Sequence, residues 1–162
     1  MLTLICALDR QRAIGFEGHM LFRLRADLQR FKALTSGHTV IMGRKTFDSL
    51  PKGALPNRRN FVISRSLTEA PAGTYLFHSL EDALQAAGDA EEIFIIGGSS
   101  VYEATLPMAD RLCLTHIHAT APQADVFFPK IDETQWNCTF REDYPADDQN
   151  EQPFTFADYI RL

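Results

Sequence analysis

One acidic residue sits where an apolar one is expected. Between residues 24 and 34, Leu24, Leu28, Phe31 and Leu34 fall on one stripe at helical spacing, and Asp27 shares it, three residues after Leu24 and four before Phe31. Turned toward a core, a carboxylate there is costly unless it is paired, and it then binds a partner or does proton chemistry. Turned toward water in a first helical turn, it merely suits the helix dipole. The residues alone leave both readings open.

Two strand-to-helix turns have the composition of a phosphate cradle. An apolar run, Val40-Ile41-Met42, ends at Gly43, and Arg44, Lys45 and Thr46 follow at the start of a helix. Free N–H groups and two cations there would face an anion. A second run ends at Gly97-Gly98, with Ser99, Ser100, Val101, Tyr102 and Glu103 behind it. Two glycines permit a close backbone approach, and Ser100 with Glu103 has the spacing of a capping box. Neither turn is the G-x-G-x-x-G fingerprint or a P-loop. Together they point to a dinucleotide lying across the strand ends of an open α/β sheet. A third cluster, Ser64-Arg65-Ser66, reads by itself as a polar loop; the alternative is that its two hydroxyls and guanidinium meet a terminal phosphate monoester, which would prefer NADP over NAD. His116 and His118 share one face of a strand but have no obvious third ligand, so no metal site is expected. No Ser-His-Asp or Cys-His nucleophile pattern stands out.

Those turns need a sheet behind them. Strands are predicted at 2–8, 38–42, 60–64, 74–77, 92–96 and 111–118, with helices between, one of them opened by Ser79 and closed by Gly88. Strands alternating with helices imply βαβ units and a parallel sheet. The last third differs: Trp136, Cys138, Phe140 and Tyr144, then Phe154, Phe156, Ile160 and Leu162, are evenly spaced around an acidic loop, as in an antiparallel hairpin. The expected fold is α/β, with a mixed sheet, parallel at its centre and antiparallel at its end.

The 162 residues suit one domain over 1–162. No apolar run approaches the ~20 residues of a membrane helix, and no basic stretch precedes the apolar opening, so neither a membrane span nor a signal peptide is expected. Three scattered cysteines without C-x-x-C favour a reduced, cytoplasmic protein. A net charge of −5 argues against nucleic-acid binding. The charge is uneven: residues 1–65 carry 12 Lys/Arg against 4 Asp/Glu, and residues 66–162 carry 4 against 17. The basic half is the half that holds the first and third candidate anion sites. The acidic C-terminal loop offers no large apolar patch, so a monomer is expected.

As a set, these stretches resemble the dihydrofolate reductase family over nearly the whole chain. The resemblance rests on Ile5-Cys6-Ala7, Ala13-Ile14-Gly15, Ala26-Asp27-Leu28 with Phe31, Val40 through Phe47, Leu55-Pro56 with Arg58 and Asn60, Ile96-Gly97-Gly98 with Val101-Tyr102-Glu103, Leu114-Thr115-His116-Ile117, and Asp125 with Phe128-Pro129, in order and spacing. It implies eight strands and four helices, with NADPH and a folate on either side of one cleft. It implies that Asp27 grips the 2-amino and N3 edge of the pterin with Thr115 in support, and that Arg58 clamps the carboxylate of the glutamate tail. Ile5, Leu28, Phe31, Leu50 and Ile96 would form apolar walls, with Cys6 and Lys32 also on the substrate side. Ala7, Ile14, Gly15 and Met20 would meet the nicotinamide end. Phe22 and Tyr102 would flank the reacting centre with Asp27. Gly43, Arg44, Lys45, Thr46, Ser64, Arg65, Ser66, Gly97, Gly98, Ser99, Ser100 and Val101 would hold the phosphates and adenosine. Residues 9–24 would form a lid.

The implied reaction is NADPH-dependent reduction of dihydrofolate to tetrahydrofolate, inhibited by diaminopyrimidine or pteridine antifolates. The alternative is a related reductase of another pteridine or of a flavin-pathway pyrimidine. The chain departs from the family pattern at Leu21-Phe22, where Pro-Trp is usual, at Leu24-Arg25, where Leu-Pro is usual, and at Ser99, where a third glycine is usual. Phe22 lacks an indole N–H, and Arg25 changes how the lid enters the helix.

Overall fold

A computed structural model of the chain describes residues 1–15, 21–89 and 92–162. Its main sheet contains β1 (Leu2–Leu8), β3 (Thr39–Gly43), β4 (Arg59–Ile63), β5 (Thr74–Phe77), β6 (Ile93–Ile95), β7 (Arg111–Ile117), β9 (Trp136–Tyr144) and β10 (Phe154–Arg161). Their order across the sheet is β5-β4-β3-β6-β1-β7-β10-β9. Every neighbouring pair is parallel up to β7, and β10 runs against both β7 and β9. The inner strands are apolar without alternation because helices or loops cover both faces. Thr39, Val40, Ile41 and Met42 of β3 are all buried, as are Ile93, Phe94 and Ile95 of β6.

Among the described residues, four α-helices join these strands: α1 (Arg25–Thr35), α2 (Arg44–Ser49), α3 (Leu80–Ala87) and α4 (Ser99–Thr105). In α3 the Ser79 side chain accepts from the Asp82 N–H, and Gly88 closes the helix at φ 60°. The sequence pattern missed a second, two-stranded sheet, β2 (Ala13–Gly15) paired antiparallel with β8 (Val126–Phe127). Both strands are too short to show a period.

The hairpin forms as expected, but β9 does not alternate. Trp136 is buried, whereas residues 137–143, Cys138 and Phe140 included, are exposed. β9 is one of the sheet's two outer strands, paired with β10 alone among the described residues, and Arg141, Glu142 and Asp143 suit an edge that must not pair further.

The core divides across the sheet. Leu4, Leu8, Ile41, Ile95, Leu112 and Phe128 pack on one face, while Ile5, Val40, Met42, Val62, Phe94 and Cys113 pack on the other. A third cluster, Leu24, Ile117, Phe154 and Phe156, joins the start of α1 to the hairpin. From β1 the chain passes to β3 on one side, returns through β6 between them, and then lays β7 on the other side of β1. In such a sheet, ligands bind beyond the carboxyl ends of the strands, at this reversal. Gly43 and Gly97 lie at or just beyond those ends, and Thr115 lies just before the end of β7.

Candidate active site

The polar centre of the site is the Asp27 carboxyl. The residue as a whole is partly exposed, but its carboxyl is packed among protein atoms and accepts a 2.5 Å hydrogen bond at Oδ1 from the Thr115 hydroxyl of β7. Burial pushes the Asp27 carboxyl above the ordinary carboxylate range, against the opposing effects of the Thr115 hydrogen bond and the Arg30 guanidinium. Beside it lies an apolar wall. Ile5 is buried there, with Phe31, Leu50 and Ile96 packed on the same cluster, as the sequence implied. Leu28 is a correction to the helical stripe: it is 47% exposed. The sheet-face cluster takes Phe31 and Leu34 from α1 and the hairpin cluster takes Leu24 and Ala26, so Leu28 lies over neither.

Arg58 is pre-positioned at the far end of this wall. Its Nε donates to the Pro56 carbonyl at 2.9 Å, its Nη1 donates to Thr35 Oγ1 at 3.1 Å, and its guanidinium lies 6.0 Å from the Phe31 ring centroid. Among the described residues Nη2 has no partner, which leaves a forked donor for a carboxylate. Partial burial pulls its pKa below the ordinary guanidinium value. Lys32 is exposed.

Sequence reasoning missed what holds Asp27 in place. The N-cap of α1 is Leu24, whose side chain cannot cap a helix. The loop of the C-terminal hairpin supplies the caps instead: Ala26 N donates to Asn150 Oδ1 at 3.0 Å, and Arg25 N donates to the Gln149 carbonyl at 3.1 Å. Asn150 is 6% exposed and is fixed in turn by Asp147 Oδ1, which accepts from its N and Nδ2 at 2.9 Å each. The buried Asn150 lies 124 residues from its partner Ala26, and no local pattern encodes that pairing.

The two glycine turns meet across neighbouring strands. Gly43 N donates to the Gly97 carbonyl at 2.9 Å. Gly97 has φ +128°, and a Cβ there would stand 3.1 Å from Thr46 Oγ1 and 3.6 Å from the Tyr102 ring. This is a backbone surface built for close approach, so a glycine is required. The Gly97–Gly98 peptide is cis. The capping box expected at Ser100 and Glu103 does not form: Gly98 is the N-cap of α4, and Ser100 lies inside the helix and exposed. Ser99 is the first helical residue, and Val101 is buried behind it. Neither α2 nor α4 has a side-chain cap, because Gly43 and Gly98 carry none to offer.

The first and third basic clusters converge. Arg44 Nη1 donates to Ser66 Oγ at 3.3 Å, with Lys45, Arg65 and Ser66 exposed around it. Ser64 shapes this corner from beneath: it is buried, and its Oγ accepts from Ser66 N at 3.3 Å and Leu67 N at 3.2 Å. His78, which no motif flagged, joins the same corner through Nδ1, 2.9 Å from the Ser64 carbonyl. Tyr102 is buried and donates to the Ile5 carbonyl at 2.7 Å. Burial and the Cys6 thiol beside it hold the Tyr102 phenol well above its ordinary value, and burial likewise pushes the Cys6 thiol up. Both stay protonated near neutral pH.

This arrangement has close relatives. The dihydrofolate reductase family model matches residues 1–161. The chain belongs to the dihydrofolate reductase family. The dihydrofolate reductase of Bacillus subtilis is 38% identical over 159 residues, covering 98% of this chain and 94% of that protein. The type 3 dihydrofolate reductase of Salmonella typhimurium is 40% identical over 161 residues, covering 99% and 98%. A solved dihydrofolate reductase from Enterococcus faecalis, complexed with NADP(H) and RAB-propyl, superimposes with a TM-score of 0.92 at 34% identity, covering 99% of this chain and 96% of its own.

The departures of this reductase from the family pattern have local explanations. Phe22 and Ala7 pack against the cluster of Leu24, Ile117, Phe154 and Phe156. Arg25 uses its N–H to bond the hairpin loop, a donor that proline would lack. Of the expected lid, Met20 lies outside the described residues. Ile14 packs on the main core, and Gly15 accepts from Asp125 N at 3.1 Å. The lid's first residue is an unforeseen anchor. Asp9 is 4% exposed, and its carboxylate accepts from Gln11 N, Ala13 N and Ala121 N at 2.8, 2.9 and 2.8 Å. His116 and His118 pair with Tyr159 and Thr155 hydroxyls, and no metal-binding group of three or more His, Cys, Asp or Glu occurs among the described residues.

Proposed function

We propose that this reductase converts 7,8-dihydrofolate to 5,6,7,8-tetrahydrofolate with NADPH, with Asp27 as the acid that binds and polarises the pterin. One observation carries the assignment: a packed carboxyl with one oxygen fixed by Thr115 and lone pairs left on both oxygens, facing an apolar wall. A carboxylate of that kind matches the paired N–H donors of a 2-amino-pyrimidinone edge. Diaminopyrimidine and pteridine antifolates present the same paired donors, and the reading predicts that they compete at Asp27.

NADPH supplies the hydride that goes to C6 of the substrate. The residues present fit it: the Gly43 and Gly97 backbones form a surface that a Cβ would obstruct, and Arg44, Arg65 and Ser66 gather at one corner, suited to a 2′-phosphate. Asp27 favours the protonated pterin electrostatically, and water delivers the proton to N5. The Ile5, Phe31, Leu50 and Ile96 side chains exclude water from the ring faces, which strengthens the Asp27 contact. Arg58 takes the glutamate carboxylate, and that residue selects folates over pteridines without a tail.

The reading also places the enzyme in the cytoplasm as a monomer. Its three cysteines are unpaired, and its large exposed apolar residues, Leu28, Tyr75, Met108, Phe127 and Phe140 among them, are scattered over different elements. Among the described residues, no helix is long and apolar enough to cross a membrane.

The test is the fall in NADPH absorbance with dihydrofolate and with a tail-less 7,8-dihydropterin. Dihydrofolate is reduced far faster, Arg58→Leu narrows that gap through KM, and Asp27→Asn keeps NADPH affinity while losing most turnover near neutral pH. Equal rates on both substrates refute the folate assignment, and full turnover by Asp27→Asn refutes the role of the acid.

A further inference from the structure

Between α1 and β10 lies an ion pair that the reaction does not use directly. Arg30 Nη2 is 2.8 Å from both Oδ1 and Oδ2 of Asp158 on β10, and the two side chains are only 17% and 20% exposed. The guanidinium also lies 4.8 Å from the Phe156 ring centroid and 5.6 Å from that of Phe140. Two oxygens and two rings therefore fix this cation in one place. Arg30 is three residues after Asp27, so on a helix the two side chains are neighbours. A free arginine at that spacing folds over an acid and pairs with it. Here Asp158 holds it away, and the hydrogen bond that Asp27 makes among the described residues goes to Thr115.

We infer that Arg30 and Asp158 are positioning residues for Asp27: the pair keeps a cation close enough to favour the ionised acid, yet tethered so that both carboxylate oxygens stay open to substrate. The inference rests on the reading of Asp27 as the pterin-binding acid. Among the described residues, Arg30 is the charged side chain that acts on Asp27. Thr115 of β7 gives a neutral hydroxyl, and Cys6 of β1 and Tyr102 of α4 are held protonated by burial. Around the pair itself, the Cys113 thiol of β7 is pushed up to about 12, chiefly by burial, so it too is neutral. The Tyr144 phenol is raised by its hydrogen bond to Glu142. Removing either partner therefore acts on Asp27 with a defined sign. Without Arg30, Asp27 loses its cation and Asp158 is left as a buried anion, so the acid becomes harder to ionise. Without the Asp158 charge, Arg30 is released toward Asp27, so the acid ionises more readily and its oxygens are occupied.

The test follows the Asp27 carboxyl by carbon-13 NMR titration of the full chain labelled at aspartate, with the signal assigned by its absence in Asp27→Asn. Arg30→Met moves the midpoint up and Asp158→Asn moves it down, each by about half a unit or more, as expected for a weakly screened neighbouring charge. Asp158→Asn also raises KM for dihydrofolate more than it lowers kcat, and Arg30→Lys titrates close to the parent. The double variant Arg30→Met/Asp158→Leu leaves no lone charge under α1. It keeps the test open if a single variant does not fold, because it must titrate above the parent. Shifts in the same direction for both single variants, or no movement in Arg30→Met, overturn the inference, as does an unmoved double variant. A fully active Asp27→Asn would instead overturn the role of the acid and leave the titration result standing.

Discussion

Thr115→Val isolates what a single hydroxyl does for the site acid. Valine keeps the shape and the strand preference of threonine, so β7 and its pairing with β1 stay intact while the donor to Asp27 Oδ1 is lost. A hydrogen bond to a charged group contributes about 1.5–3 kcal/mol, and one between neutral groups about 0.5–1.5 kcal/mol. The cost of the substitution therefore depends on the charge of Asp27. Burial raises the folded-state value of this acid above its ordinary 3.8. A group raised in that way favours folding fully below its unfolded value, and that contribution is lost as pH rises through the folded value. Removing the Thr115 donor raises the folded value further, so the extra loss appears on the alkaline side.

Urea unfolding of the parent and Thr115→Val, from about pH 4 to about pH 9, should show a stability gap of about 1 kcal/mol at the acid end. The gap should widen by about 1 kcal/mol or more at the alkaline end. In an Asp27→Asn background the same substitution should cost a constant amount at every pH. A gap in the Asp27 parent that stays constant, or that narrows as pH rises, refutes the reasoning, because the hydroxyl would then not be holding an ionised carboxyl.

Three further outcomes follow from the same structure. Asp27→Asn replaces a buried acid by a neutral isostere, so it should raise Tm near neutral pH and converge on the parent as pH falls toward 3.8, which scanning calorimetry at several pH values checks. Asp9→Ala strands three backbone N–H groups, of which that of exposed Gln11 regains water, so urea unfolding should show a loss of about 3–5 kcal/mol. Gly97→Ala places a methyl 3.1 Å from Thr46 Oγ1 at a backbone angle that alanine resists, a strain of about 1–3 kcal/mol, so calorimetric titration should show NADPH binding weakened by tenfold or more, with Tm lowered.

Much of this was legible from local pattern, because the signals that succeeded are local in the fold as well. The inner strands are apolar runs on both faces, and β1, β3 and β6 appear within a residue or so of where those runs lie. Ser79 and Gly88 punctuate α3 as their types demand. The failures share a cause, which is competition from distant chain. Ser100 had a capping partner at the right spacing, but the glycine turn set the helix start one residue before it. Cys138 and Phe140 had the period of a buried face, but β9 lies at the edge, where no layer covers them. Asn150 and Asp9 sit in loops where no local pattern marks them, yet each is buried and satisfies backbone amides far away or across a turn. Asp27 was readable as anomalous but not as buried or exposed, since Thr115 stands 88 residues further along the chain.

That anomaly explains why the site is where it is. α1 is packed by two separate apolar clusters, one taking Leu24 and Ala26 into the hairpin, the other taking Phe31 and Leu34 onto the sheet. A helix bridging two cores in this way leaves the stretch between Ala26 and Phe31 over the seam between them, and that stretch opens with Asp27, in the first turn, and Leu28. Neither could be the product of a helix built only for stability: an apolar residue at 27 would close the seam, and a polar one at 28 would suit its 47% exposure. The pair as it stands, a carboxylate beside an uncovered leucine, fits a ligand that has a nitrogen-rich edge and a flat apolar face. The hairpin loop and the Arg30–Asp158 pair then acquire a reason. They hold a helix whose own sequence supplies no N-cap side chain, and they hold it at the one turn where a shift of an ångström would separate the acid from Thr115.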